Sequence, residues 1–207
     1  MLKVALTGNY GSGKSRVLQA FSDMGALCMD ADRIVAGLLE DPGVLEMIRK
    51  AAGDGVFVGG RLSKRKLADL IFADAAVRGA VEGIIHPLAI RKIDETLEKT
   101  KNSRTAVAFI EIPLLYEKGY ERLFDKVIAV YVDESTALAR LMAQGISPDS
   151  ARQRLSVQMP LLEKVARADY VINNQGGMEE TVWQARRIFD ELVQMAALTE
   201  TKSKAGA

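Results

Sequence analysis

Apolar residues along the chain fall into two kinds of run. Short unbroken runs at Leu2 to Thr7, Leu27 to Met29, Thr105 to Ile112, Lys126 to Val132 and Tyr170 to Ile172 lack the strict alternation of a half-exposed strand. They read as strands of a parallel sheet covered on both faces. Between them, apolar residues recur at three- and four-residue spacing, the mark of a helix with one buried side. Val17, Leu18, Phe21 and Met24 define a helix over Lys14 to Met24 that Gly25 stops. Val182, Ala185, Phe189, Leu192, Val193 and Ala196 define another over Met178 to Leu198. Further helices are expected over Arg33 to Leu39, after the cap Asp133-Glu134-Ser135, and from Ser147-Pro148-Asp149 to Met159. Strands interleaved with helices predict an α/β fold, a doubly wound parallel five-stranded sheet.

From Pro42 to about Thr100 that alternation lapses. Gly53-Asp54-Gly55 and Gly59-Gly60 flank Val56-Phe57-Val58, and Ser63 is a good N-cap for a helix carrying Leu67, Leu70 and Ile71. Another helix carries Val77, Val81, Ile84 and Ile85 up to His86-Pro87, where the restriction on the residue before proline predicts a break or kink. This stretch reads as a helical insertion between strands. The polar, small-residue tail Thr199 to Ala207 is expected to be disordered.

Composition narrows the class. At 207 residues, 48% apolar and 27% charged, the chain is an ordinary globular protein with one core or a core plus a small subdomain. Its 28 basic and 27 acidic side chains leave a net charge of +1, so bulk electrostatics give no reason to expect nucleic acid or a membrane as partner. The single cysteine, Cys28, cannot form an internal disulfide and reads as a small core hydrophobe rather than a nucleophile. No apolar run approaches ~18 residues, and Met1-Leu2-Lys3 enters a strand directly, so a cytoplasmic protein is expected. A monomer or weak homo-oligomer is the expected assembly, without a pattern in the chain that fixes it.

The chemistry is concentrated in Gly8-Asn9-Tyr10-Gly11-Ser12-Gly13-Lys14-Ser15, which fits the phosphate-binding pattern Gly-x-x-x-x-Gly-Lys-Ser between a strand and a helix. A glycine-rich turn leading into a helix leaves backbone N–H groups facing outward, a cradle for phosphate. Gly8, Gly11, Ser12, Gly13 and Arg16 belong to that cradle, Lys14 reaches the β/γ phosphates of ATP, and the Ser15 hydroxyl is the ligand for Mg²⁺. Asp30 and Asp32 follow the second strand on the edge where such sheets bind ligands. Either could accept a proton from an acceptor, and Asp32 would equally serve as a helix cap. Arg152, Arg154 and Lys164 form either a solvated face or a lid over phosphates. A GTPase would carry an Asn-Lys-x-Asp motif, which is absent, so a small kinase of the P-loop NTPase type is the reading.

The sequence resembles the dephospho-coenzyme A kinase family. The likeness runs from the first strand to Asn174. It rests on Thr7 to Ser15, Asp30-Ala31-Asp32, Leu62 with Arg65 and Leu67, His86-Pro87, Ile112 to Glu117, and Arg154 with Gln158, Lys164, Ala168, Asp169 and Asn174. The resemblance implies transfer of the γ-phosphoryl group of ATP to the ribose 3′-hydroxyl of dephospho-coenzyme A, with that small molecule as the partner. It implies a core of residues 1–34 and 101–198, a coenzyme-binding helical insertion near 35–100 and a lid near 140–165. By the same resemblance Asp32 is the base and Asp30 orients it or the metal's waters. Arg65, His86 and Leu114 map to the acceptor, and Arg154 to the lid. On bare chemistry the lone His86 could instead be a ligand, an acid or a structural hydrogen-bonding residue.

Three departures from the family's pattern bear on function. Asn9, Tyr10 and Arg16 stand at the variable places of the loop, and Tyr10 is placed to pack against a substrate. Ala143-Gln144-Gly145 stands where Arg-Asp-Gly is common, so a lid arginine is missing, and either Arg152, Arg154 or Lys164 supplies its charge or turnover is lower. Asn173-Asn174 replaces the more usual Asp-Asn. Two rival readings remain: another small-molecule kinase acting on a nucleoside or nucleotide, and a nucleotide-binding regulator that has lost catalysis.

Overall fold

The computed structural model describes residues 1–100 and 105–205, with side chains as far as Leu198. In chain order the elements are β1 (Leu2–Thr7), α1 (Lys14–Asp23), β2 (Leu27–Asp30), α2 (Ala31–Leu38), α3 (Pro42–Ala52), β3 (Phe57–Val58), β4 (Arg61–Leu62), α4 (Lys64–Ala73) and α5 (Ala75–Thr100). They continue with β5 (Val107–Glu111), β6 (Lys126–Tyr131), α6 (Glu134–Ala143), α7 (Pro148–Ser156), α8 (Leu161–Arg167), β7 (Tyr170–Asn173) and α9 (Met178–Ala205). Two compact units result, residues Met1–Asp30 with Thr100–Ala207, and residues Ala31–Lys99.

The first unit is built on a five-stranded parallel sheet in the order β2-β5-β1-β6-β7. Successive side chains on a strand point to opposite faces, so a strand buried on both sides must be apolar throughout. Val4 and Leu6 of β1, Phe109 of β5, and Ile128 and Val130 of β6 therefore meet Val17 and Phe21 of α1 and Ala185, Ile188 and Leu192 of α9 on one face. Ala5 and Val127, one position out of phase, join Leu115 and Tyr116 on the other. Phe21 and Phe109 stack with ring centroids 3.8 Å apart, and burial of one such ring stabilises by roughly 1.5–3 kcal/mol. An exposed pair such as Arg152–Asp149 is worth about 1 kcal/mol at most, so this core rather than surface charge sets the unit's stability.

Helix α1 ends as its sequence requires. Gly25 adopts φ 88°, its N–H donates to the Ser22 carbonyl at 2.9 Å, and the Ala26 N–H donates to the Phe21 carbonyl at 3.1 Å, the paired bonds of a glycine C-terminus. The turn feeds directly into β2. The connection leaving β1 runs to β2 on one side of the sheet, whereas those leaving β5 and β6 run toward the other, and at this switch a crevice opens at the carboxyl ends of the strands.

The second unit has its own core, in which Val44 and Ile48 of α3, Leu67 of α4, and Val81 and Ile85 of α5 pack around Val56. Asp41 caps α3 by accepting from the Gly43 and Val44 N–H groups, and Ser63 caps α4. Gly59 and Gly60, both at positive φ, form the two-residue turn of a β3-β4 hairpin, whose second strand has too few residues to show a pattern in the sequence.

Three local expectations are corrected. Pro87 does not break the helix: α5 runs through it, and the buried stripe Val81, Ile85, Ala89, Ile93 and Leu97 continues on both sides. A four-residue spacing sustained over that length outweighs one lost hydrogen bond. The helix expected to reach Met159 stops at Ser156, and α8 begins after Pro160. Residues 199–205, expected as disordered tail, extend α9, since neither glycine nor proline occurs before Gly206. Residues 206–207 of that tail, and 101–104 of the expected core, lie outside the described residues. Among the described residues no helix is long and apolar enough to cross a membrane.

Cys28, half-buried on β2, donates its thiol to the Leu18 carbonyl at 3.4 Å. Burial, with a smaller contribution from the charge of Asp23, pushes its pKa up to about 12. A thiol so raised stays protonated at pH 9, where an ordinary one is half ionised. The native protein should therefore react slowly with a disulfide reagent such as DTNB at that pH and promptly once unfolded in urea. Fast reaction of the native protein would contradict this placement.

Candidate active site

The glycine-rich loop leaves β1 at Gly8 and becomes α1 at Lys14. The Ser12 N–H donates to the Asn9 carbonyl at 3.0 Å, closing a tight turn, and the Gly13 carbonyl accepts from Arg16 and Val17 to begin the helix. Gly8, Gly11 and Gly13 leave no room for any other residue. A Cβ on Gly8 would lie 2.6 Å from the Val130 carbonyl oxygen, and one on Gly13, at φ 85°, would collide with the side-chain amide of Asn174. The first N–H groups of α1 have no carbonyl one turn earlier within the helix, so they face the mouth of the loop as donors.

Lys14 is 7% exposed, and its ammonium donates to the Asn9 carbonyl at 3.2 Å, which holds the charge against the loop it serves. Next to it the exposed Ser15 hydroxyl donates to Glu111 Oε1 at 3.4 Å. Glu111 ends β5, is itself buried, and pairs in register with Leu6 on one side and Asp30 on the other. Two carboxylates and a hydroxyl thus share the carboxyl edge of three adjacent strands. A cavity of about 340 Å³ opens there, bordered by Gly11, Gly13, Lys14, Ser15, Arg16 and Glu111 on one side and by Arg140 and Gln144 on the other.

A buried amide fixes the loop. Asn174, 3% exposed, donates from Nδ2 to the Ser12 carbonyl at 2.7 Å and accepts at Oδ1 from the buried Thr181 hydroxyl at 2.8 Å. Its own carbonyl accepts from the Arg140 guanidinium at 2.7 Å. Asp133, the cap of α6, accepts from the Thr136 N–H, and these hydrogen bonds, with the nearby charge of Arg140, hold its carboxyl below the usual range. It also accepts from the Gln175 side chain at 2.6 Å. Asn173 Oδ1 accepts from the Gln175 N–H at 3.0 Å, a turn role in which Asn serves as Asp would.

The chain beyond α6 supplies the remaining cations, and they differ in kind. Lys164 is 0% exposed, paired with Glu117 at 2.8 Å and bonded to the Pro113 carbonyl at 2.8 Å. Burial lowers its pKa while Glu117 opposes the shift. It fastens α8 to the loop after β5 and does not provide an exposed lid charge, contrary to one of the sequence options. Arg154 is exposed, and its guanidinium donates to the Tyr10 hydroxyl at 2.6 Å. Tyr10, expected to pack against a substrate, engages Arg154 of α7.

The predicted residues are therefore partly gathered. Gly8, Gly11, Ser12, Gly13, Lys14, Ser15, Arg16 and Asp30 sit at one edge of the first unit, with Arg154 on Tyr10 of the same loop. Leu114 is 38% exposed in the loop after β5. Asp32, exposed, is the second residue of α2 and lies in its first turn rather than at its cap. Arg65, exposed on α4, and His86, half-buried on α5, belong to the second unit. Sequence reasoning did not assign Glu111, Arg140, Asn174 or Thr181 a place in the site. The signal for Glu111 was present, an acid closing an otherwise apolar buried strand; the contacts of the other three exist only in the fold.

Comparison with known proteins agrees with this geometry. The family model described as dephospho-CoA kinase matches residues 2–180. A dephospho-CoA kinase of Aquifex aeolicus is 36% identical, covering 93% of this chain and 98% of its own length. One from Symbiobacterium thermophilum is 39% identical over 86% of this chain and 76% of its own. A crystal structure of a Thermus thermophilus protein at 34% identity superposes with a TM-score of 0.84, covering 92% of this chain and 97% of its own.

Gly13→Ala adds a methyl group where the Asn174 amide already sits, at a φ that alanine resists. We expect ATP affinity, read by calorimetric titration, to fall at least about tenfold while the far-ultraviolet circular dichroism stays native, since the strain is confined to the loop. Unchanged affinity would mean that the loop geometry does not govern nucleotide binding.

Proposed function

The chain belongs to the dephospho-CoA kinase family, ATP-dependent enzymes that phosphorylate dephospho-coenzyme A to coenzyme A, and from that premise we propose how its residues divide the work. The observation that carries the proposal is the Ser15 hydroxyl and Glu111 carboxylate 3.4 Å apart, beside Lys14 at the mouth of the glycine loop.

Both are hard oxygen donors, suited to Mg²⁺, which at kinase sites takes one or two protein ligands and fills its remaining positions with water and phosphate oxygens. Among the described residues no group of three or more His, Cys, Asp or Glu could hold a metal by itself, which is consistent with such a shared site. When bound, the ion offsets charge on the transferring phosphoryl group. Lys14 and the N–H groups at the start of α1 hold the phosphates of ATP. Arg140, bonded to the Asn174 carbonyl, borders the same cavity as the loop and adds positive charge there. Arg154 supplies positive charge from the side of α7, taking the place of the arginine missing near Gln144.

A ribose hydroxyl is a poor nucleophile at neutral pH, so its proton needs an acceptor as the new bond to phosphorus forms. Asp32 is that acceptor in this proposal. It stands in the first turn of α2, directly after the strand that ends at Asp30. Asp30, in register with Glu111, orients that base or the metal's waters. Arg65, His86 and Leu114 are each assigned to the acceptor substrate.

Asp32→Asn should lower kcat by ~10² to 10⁴ with ATP affinity nearly unchanged, because only the proton acceptor is removed. A coupled ADP-release assay with dephospho-coenzyme A, adenosine and AMP as alternative acceptors measures both the effect and the specificity. Near-wild-type turnover by Asp32→Asn would reject the base assignment. Preference for adenosine or AMP would favour the nucleoside or nucleotide kinase reading for this chain.

A further inference from the structure

Tyr10 lies at a variable position of the phosphate loop, yet it makes more contacts with α7 and the residues just after it than a spacer requires. Its backbone N–H donates to Gln158 Oε1 at 2.8 Å. Its phenol oxygen accepts from Arg154 Nη1 at 2.6 Å, and the centre of the same guanidinium lies 5.0 Å from the centroid of its ring. Two residues four apart in the chain are thus gripped by one loop residue, one through the main chain and one through the side chain.

An exposed arginine on a short helix ordinarily samples many rotamers, and its charge is spread over that volume. An acceptor at one end and an aromatic face beneath it restrict the guanidinium to one place. That place is a residue of the phosphate loop itself, one position before Gly11 and four before Lys14. The other arginine on this helix has no comparable seat: Arg152 reaches Asp149 of its own helix at 3.5 Å.

We propose that Tyr10 is a positioning residue for phosphoryl transfer, which seats the Arg154 guanidinium beside the phosphate loop and so fixes where α7 delivers its positive charge. The proposal rests on the reading of Arg154 as the phosphate-facing cation. Tyr10 acts through Arg154 and takes no proton or bond of its own. Positive charge held in place before the reaction stabilises the charge that develops in the transition state more than it stabilises bound ATP. Its loss should therefore appear in kcat rather than in KM.

The test is steady-state kinetics with ATP and dephospho-coenzyme A on Tyr10→Phe, Tyr10→Leu, Arg154→Ala and the double variant Tyr10→Phe/Arg154→Ala, each first checked for a native thermal transition. Tyr10→Phe keeps the ring and removes the acceptor, and should lower kcat by roughly tenfold, the worth of one hydrogen bond to a charged group, with KM for ATP within about twofold. Tyr10→Leu removes both features and should lose more. In the Arg154→Ala background, Tyr10→Phe should change kcat by less than about twofold, since the group it positions is gone. If Arg154→Ala loses turnover while both Tyr10 variants keep it, or if the Tyr10→Phe and Arg154→Ala effects multiply, the proposal is overturned and the role of Arg154 stands. If Arg154→Ala turns over like wild type, the reading of Arg154 fails and the proposal falls with it.

Discussion

The first unit depends on a main-chain loop held open by a buried side-chain amide. Asn174 connects the Ser12 carbonyl, the Thr181 hydroxyl and, through its own carbonyl, Arg140. A loop that presents N–H groups to an anion has carbonyls pointing the other way, and those carbonyls need donors. Asn174 supplies one for Ser12, and Lys14 supplies one for Asn9. The same contact explains Gly13, because the amide occupies the space where a Cβ would stand. Removal of a buried partner costs the full desolvation of what it leaves behind, ~1–3 kcal/mol for a neutral group, so the clamp and the loop are bound to one another energetically.

From that clamp the rest of the edge is arranged by strand register. A parallel sheet with β1 in the middle sets the ends of β2, β5 and β1 beside one another, and so Asp30, Glu111 and the loop share one edge. The apolar bulk of the unit enforces that register, since a shift by one residue would turn Val4 and Leu6 away from α1 and α9. Chemistry and core are two consequences of one pairing. The buried Lys164–Glu117 pair plays the equivalent part for the loop after β5, fastening α8 to Pro113 beside the exposed Leu114. A cation with no exposure that is paired on one side and bonded to a carbonyl on the other serves position rather than catalysis.

Sequence positions that look alike are thereby separated by their surroundings. Arg140, Arg152, Arg154 and Lys164 are four cations within a short stretch, yet one braces the loop, one pairs within its own helix, one sits on Tyr10 and one is buried. The arginine absent near Gln144 matters less on this account, since Arg140 borders the same cavity as Gln144 and Arg154 is held at the loop. Tyr10 changes in meaning as well. What reads in the chain as an oddity at a permissive position is, in the fold, a contact with α7, the second helix after β6.

The sequence by itself determined the sheet, the phosphate loop and the family, because each is written in local spacing. Apolar runs without alternation mark doubly covered strands, and Gly-x-x-x-x-Gly-Lys-Ser after one of them places the donors. It also carried the end of α1 and the start of α4, whose caps lie within a few residues of what they cap. Only the tertiary structure decided that Pro87 lies inside a helix, that Lys164 is buried and that Asn174, Arg140 and Glu111 surround the loop. Those outcomes depend on contacts between residues far apart in the chain, 162 positions in the case of Asn174 and Ser12. No local pattern encodes which distant group will fill a given space or satisfy a given carbonyl.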